Sequence, residues 1–418
     1  MDSPRNSNLD AAGRLPVIVR ARSGADLFKA REAVTRLEGA AVGDTLPIID
    51  GFLATVPPQE YRELMRSRPT GVEVYVDEKR RWIDPQPSPR RPLGLDNAAP
   101  TLGVNELWQR GHRGQGVTIA VVDTGIHPHP DLKDRIVAFR DVVNGRPKPY
   151  DDQGHGTHVA GDAAGNGAES AGRFVGTAPE ASLVGVKVLD AGGSGRLSNI
   201  IKGIEWTVAN RARYNIRVIN MSLGGPARGS YKNDPICQAV ERAVDAGMVA
   251  VVAAGNSGPG AKTVGTPGND PRVITVGALD DRGTLAREDD DIAKFSSRGP
   301  TPVDALTKPD VLAPGVAITA PTSPGSPLDT NPKVPHEGPW YITISGTSMA
   351  TPVVAGVVAD LLGAVPEASP QQVKDALMAT ARPLVRTPPY DGNQQGSGVV
   401  DPLAALSRLQ GAPARLQE

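Results

Sequence analysis

Three short segments set a reactive side chain among glycines. VVDTG carries Asp123 two residues before Gly125, GHGTHVAG carries His155 between Gly154 and Gly156, and SGTSMATP carries Ser348 just before a helical pattern. Serine, histidine and aspartate are the set that nucleophilic acyl transfer needs. A lone serine hydroxyl is a poor nucleophile, an imidazole can take its proton, and a carboxylate fixes the imidazole tautomer. A fourth segment, AAGN, puts Asn256 directly after an apolar run. Its amide, with the Ser348 backbone N–H, would bind a tetrahedral oxyanion. Each residue has a plainer reading: Asp123 as a strand-end carboxylate, Ser348 as a helix N-cap, His155 as a packed histidine, Asn256 as a turn residue. All four, however, fall where a strand or loop gives way to the next element, which is where sites form in open α/β sheets.

The other reactive side chains read as structural. His155 and His158 lack the HExxH pattern of zinc proteases, so His158 reads as packing or hydrogen bonding, and His127 and His129 in HPHPD as loop residues. Cys237 is the single cysteine, which excludes an intramolecular disulfide and a multi-cysteine zinc site; among its apolar helical neighbours it reads as a buried thiol.

These residues need a scaffold. From Gly116 onward the apolar runs VTIAVVD, LVGVKVL, RVINMSL, MVAVVAA and VITVGAL alternate with helical patterns or Gly-rich loops. Strands buried on both faces look like this, so a doubly wound, mostly parallel α/β sheet is expected. Helices are expected over 197–212, 235–246, 351–362 and 370–381. Upstream, residues 15–82 alternate short strands and amphipathic helices in the order β-α-β-β-α-β, the ferredoxin-like arrangement. Leu27, Ala30, Val34 and Leu37 share one face of its first helix. Pro-rich residues 84–100 show no hydrophobic period and read as an exposed linker.

Length and composition bound the rest. At 418 residues the chain exceeds one ordinary core, so two folded units are expected. Lys+Arg 45 against Asp+Glu 46 leaves no electrostatic footprint for nucleic acid. The longest apolar runs, such as 248–254 and 353–358, fall short of the roughly 18–20 residues that span a bilayer, so no membrane partner is expected. The first 14 residues are polar, with no signal-peptide core. This implies a cytoplasmic protein, or a secreted one if a signal was trimmed.

The four segments, in the order Asp123, His155, Asn256, Ser348, resemble the subtilisin-like serine proteases, or subtilases. DPICQAVERAVDAG, TPGNDPRVITVGALDDRGT and FSSRGP look most like the AprX-like branch. The resemblance implies a serine endopeptidase working through an acyl-enzyme, with catalytic Asp123, His155 and Ser348 and oxyanion-binding Asn256. It also implies that Ser222, Leu223, Gly224 and Gly225, with Ala254 and Gly255, pair with an extended substrate backbone, and that Gly265 floors a primary pocket tolerant of large apolar groups. Asp151, in YDDQGHG, matches an acidic position near the histidine in many relatives.

By the same resemblance, 15–82 is an inhibitory propeptide that includes IDGFLATVP, making the chain a self-processing zymogen. The expected layout is a disordered terminus at 1–14, the propeptide at 15–82, a linker at 83–102 cut between Trp82 and Asn97, the catalytic domain at 103–406 and a tail at 407–418. The chemistry needs no cofactor. Structural calcium stays open, because GNGAESAGRF lacks a ligand series, although Asp131, Asn166 and the acidic residues from Asp280 to Asp291 offer oxygens. Two rivals are a permanently latched, protease-like binding module and an ester hydrolase.

Overall fold

The computed structural model describes residues 9–86, 88, 98–385 and 389–411. Its first six elements are β1 (Leu15–Ala21), α1 (Gly24–Thr35), β2 (Ala41–Leu46), β3 (Gly51–Val56), α2 (Pro58–Ser67) and β4 (Val72–Val76). They form an antiparallel sheet in the order β2-β3-β1-β4. Successive strand residues face opposite ways, which gives this sheet two jobs. Val17 and Val19 of β1 join Ala30 and Val34 of α1 in the unit's own core, while Ile18 packs into the core of the larger unit. Ser23 caps α1 by accepting from the Asp26 N–H, and Pro58 opens α2, where its missing N–H costs nothing.

Beyond the strand β5 (Lys79–Arg81) the chain continues as α3 (Ala98–Leu102), α4 (Asn105–Gln109), β6 (Thr118–Asp123), β7 (Ile136–Asp141), α5 (His155–Ala164), β8 (Ser182–Lys187), β9 (Ser194–Arg196), α6 (Leu197–Asn210), β10 (Ile216–Met221), α7 (Pro235–Asp245) and β11 (Val249–Ala253). Then come β12 (Ile274–Asp280), β13 (Asp291–Ile292), β14 (Val311–Pro314), β15 (Ile318–Pro321), β16 (His336–Glu337), β17 (Tyr341–Ile344), α8 (Thr347–Ala364), α9 (Pro370–Thr380), α10 (Gly392–Gln395) and α11 (Pro402–Leu409). The central sheet has eight strands in the order β13-β12-β11-β10-β6-β8-β7, with β14 also on β12; only the β12/β13 pair is antiparallel. In β6, Ile119 and Val121 face α5 and α8 whereas Ala120 and Val122 face α6 and α7, so the sheet is covered on both sides. This is the doubly wound α/β architecture expected from the apolar strands.

Three local expectations differ from the structure. Residues 9–14, expected to be disordered, form a turn in which the Asp10 carboxylate accepts from the Ala12 and Arg14 N–H groups and pairs with Arg14 at 3.0 Å. The Pro-rich linker is docked at both described ends: Trp82 and Ile83 are buried, and Ala98, Ala99 and Leu102 of α3 join the core. Helix α8 starts at Thr347 rather than Thr351. It is apolar and long enough to cross a membrane by composition, and 89% of it lies buried in the core.

The two units meet across α6 and α7. Asp77, just after β4, accepts from both the N–H (2.9 Å) and the hydroxyl (2.7 Å) of Ser198 in the first turn of α6. A carboxylate there satisfies an orphan donor and meets the positive end of the helix dipole. Asp44–Lys202, Arg242–Asp50 and Arg228–Glu78 pairs ring this contact.

Candidate active site

Asp123 ends β6 and His155 opens α5. His155 Nδ1 lies 2.8 Å from Asp123 Oδ1, and both side chains are fully buried. Glycines allow the two segments to meet. A Cβ on Gly156 would come 2.1 Å from the Gly125 carbonyl oxygen, and one on Gly125 as close to that of Tyr150. Asp151, whose role the sequence left open, caps α5. Its Oδ1 accepts from the Gln153 and Gly154 N–H groups, and its Oδ2 from the N–H and hydroxyl of Thr157. Lys187, at the end of β8, carries no motif signal. Buried, it donates to the carbonyls of Thr124 and Leu189 at 2.7 Å each and pairs with Asp152, which ties the loop after Asp123 to the loop before His155.

Ser348 sits in the first turn of α8. Pro352, four residues on, has no N–H to give the Ser348 carbonyl, as an interior helix proline must. The freed carbonyl accepts from Ser222 Oγ at 2.8 Å instead, and this anchors the start of α8 to the end of β10. Ser348 Oγ donates to the Ser222 carbonyl at 3.1 Å, and His155 Nε2 has no hydrogen-bond partner among the described residues. The hydroxyl is thus parked away from the imidazole.

Asn256 follows β11. Its Oδ1 accepts from the N–H (3.0 Å) and the hydroxyl (2.9 Å) of Thr347, which fixes the amide so that Nδ2 faces the cleft. There Nδ2 donates to the carbonyl of Asp84 at 2.8 Å. Thr347 is therefore a further site residue; GTSMATP held it, but only the fold pairs it with Asn256.

Gly224, Gly225, Leu223, Ala254, Gly255 and Gly265 line a cavity of about 490 Å³ next to Ser348. Gly224 N–H donates to the Trp82 carbonyl at 2.9 Å, while Ser222 acts through Ser348. Gly265 does more than leave room. A Cβ there would meet the Gly225 carbonyl at 2.4 Å, so its absence lets the two cavity walls approach and pair through Gly225 and Thr266.

The remaining reactive groups are occupied elsewhere. His158 bonds Asp162 at 3.0 Å and the Ile318 carbonyl at 3.2 Å, and His129 is buried against Trp340 and Tyr341. Burial pushes the Cys237 thiol up, away from a reactive thiolate. Asp131 accepts from the Glu169 N–H and the Tyr341 hydroxyl, and Asn166 Oδ1 from the Ala168 N–H, so these oxygens hold their own loop together. Among the described residues no group of three or more His, Cys, Asp or Glu is placed to hold a metal.

A doubly wound sheet with a buried Asp–His pair, a helix-borne serine and a side-chain amide at one rim defines a subtilisin-like α/β protein. The profile of the subtilase family matches residues 114–401, and the chain belongs to that family. It is 50% identical to the serine protease AprX of Bacillus subtilis over 294 residues, covering 68% of this chain and 65% of that one. It is 36% identical to subtilisin E of the same species over 374 residues, covering 88% and 84%. Among solved structures it resembles fervidolysin from Fervidobacterium pennivorans, a keratinolytic enzyme related to subtilisin. The TM-score is 0.73 at 27% identity, covering 97% of this chain and 62% of that one. The chain thus spans just under two thirds of the length of AprX and of fervidolysin.

Proposed function

We propose that this chain is a serine endopeptidase whose triad is Asp123, His155 and Ser348. The observation that carries the reading is the buried Asp123–His155 bond on the same rim as an Asn256 amide already bound to a peptide carbonyl. A rotation about the Ser348 Cα–Cβ bond moves Oγ from the Ser222 carbonyl toward the free His155 Nε2. His155 then takes the hydroxyl proton as Oγ attacks, Asp123 stabilises the imidazolium, and Asn256 with the Ser348 N–H holds the oxyanion. His155 returns the proton to the leaving nitrogen, and water hydrolyses the acyl-enzyme. No step calls for a cofactor, and calcium has no role in it.

The substrate is an extended protein or peptide segment paired with Gly224 and Gly225, with a large apolar side chain entering the cavity at Gly265. Residues 15–82 act as a propeptide of ferredoxin-like order, which the β2-β3-β1-β4 sheet and its seat on α6 support. Residues 83–102 form the processed linker and 103–406 the catalytic domain. Of the expected cutting window between Trp82 and Asn97, residues 87 and 89–97 lie outside the described residues.

Casein hydrolysis by the activated protein, compared with Ser348→Ala, tests the reading. Loss of about 10⁶-fold, the scale known for subtilisin itself, is expected. Undiminished hydrolysis in the variant refutes it.

A further inference from the structure

We infer that residues 79–86 form a built-in, cleavage-resistant inhibitor that presents Asp84–Pro85 as the bond facing Ser348, with Pro85 protecting that bond. The inference rests on the serine-protease reading above and adds which bond is presented and what would slow its cleavage.

The register follows from hydrogen bonds on both sides. Strand β5 pairs antiparallel with β9, Lys79 opposite Arg196 and Arg81 opposite Ser194. The Trp82 N–H donates to the Gly193 carbonyl at 3.0 Å, and the Gly224 N–H to the Trp82 carbonyl at 2.9 Å. Past the site, Gln86 and Ser345 exchange backbone bonds of 2.8 and 3.3 Å. Between these clamps, the carbonyl on the Asn256 amide is that of Asp84. An amide that stabilises the oxyanion marks the carbonyl to be attacked. The bond after it is Asp84–Pro85.

Two features make that bond a poor substrate. Attack would join Ser348 Oγ to the Asp84 carbonyl carbon and send the hydroxyl proton to His155. The C–N bond would then break as His155 protonates the leaving nitrogen, and water would release a chain ending in the Asp84 carboxylate. With proline the nitrogen bears a ring carbon in place of its hydrogen and a locked φ, so the imidazolium meets a crowded tertiary amide. The cavity also holds no large apolar group from the residue at the site. Asp84 lies on the wall of the cavity that Gly265 lines, is exposed, and its carboxylate accepts from Gln86 Nε2 at 3.0 Å. The segment is held instead by its backbone pairing and by buried Trp82, whose Nε1 donates to the Gly195 carbonyl at 2.8 Å, and Ile83.

The test follows intact mass over time for full-length wild type, Pro85→Ala, Pro85→Ser and Pro85→Ala with Ser348→Ala. Each sample is also labelled with a fluorophosphonate that reports Ser348. The expected result is a cut after Asp84 at least tenfold faster in both single variants than in wild type, and absent with Ser348→Ala. Two outcomes overturn the proposal: wild type cut after Asp84 as fast as Pro85→Ala, or single variants that take the probe at Ser348 but stay whole at that bond. If nothing is cut and Ser348 takes no probe even when Trp82→Ala loosens the segment, the serine-protease reading itself falls.

Discussion

Replacing Trp82 with alanine tests how the cleft is kept shut. Trp82 is only 3% exposed although it lies in a connecting segment, its Nε1 bonds the Gly195 carbonyl, and the Arg80 guanidinium stacks 3.9 Å from its ring centroid. Truncating a buried tryptophan costs about 3–5 kcal/mol in a core. The backbone pairing to Gly193 and Gly224 survives the change, so the lower end, about 3 kcal/mol, applies to docking. At about 1.4 kcal/mol per tenfold, the open fraction rises about 150-fold. The assay is the initial rate of fluorophosphonate labelling of Ser348 in the uncut full chain, where only the open fraction reacts. Trp82→Phe keeps most of the apolar contact and loses the Nε1 bond, worth about 1 kcal/mol, so a rise of about fivefold is expected. A change below threefold in a folded Trp82→Ala protein would refute the docking account.

Thr347→Val removes one of the two bonds that hold Asn256 Oδ1. With active sites titrated, kcat on a chromogenic peptide should fall about tenfold with KM within twofold, while Asn256→Ala should cost about 10²- to 10³-fold, a scale known from subtilisin. Gly265→Ala drives a methyl into the Gly225 carbonyl. It should lower stability in urea by about 2 kcal/mol and raise KM. Asp270 is buried with one oxygen unpaired among the described residues, and burial, with Glu241 adding to it against Lys308 and Lys374, pushes its carboxyl up to about 7. Between its ordinary value and 7 the folded state holds a proton that the unfolded state has lost, so stability falls as pH rises through that window. Asp270→Asn should therefore be more stable than its parent by about 4 kcal/mol at pH 8, with the gain vanishing near pH 4. Urea titrations of both in a Ser348→Ala background check this, and a gain that grows toward acid contradicts it.

The chain's own letters were enough for the scaffold and for naming candidate reactive residues, because both leave local signals. Continuous apolar runs such as VTIAVVD mean a strand buried on both faces, and β6 lies in the middle of the sheet. Gly125 and Gly156 flank Asp123 and His155 because no side chain fits where those segments cross. Contacts between distant segments leave no such trace. Pro352 reads as an anomaly inside a helix until Ser222, 126 residues before Ser348, turns out to bond the carbonyl it frees. Thr347 and Asn256 are 91 residues apart and meet only because α8 begins beside the end of β11. The sharpest case is the Pro-rich stretch. Without a hydrophobic period it reads as an exposed linker, since its docking comes from backbone groups that every sequence possesses. Only the fold supplies their partners at Gly193, Gly224 and Ser345. Composition and motif thus determine which residue types are available for chemistry, and tertiary structure decides which carbonyl meets the Asn256 amide.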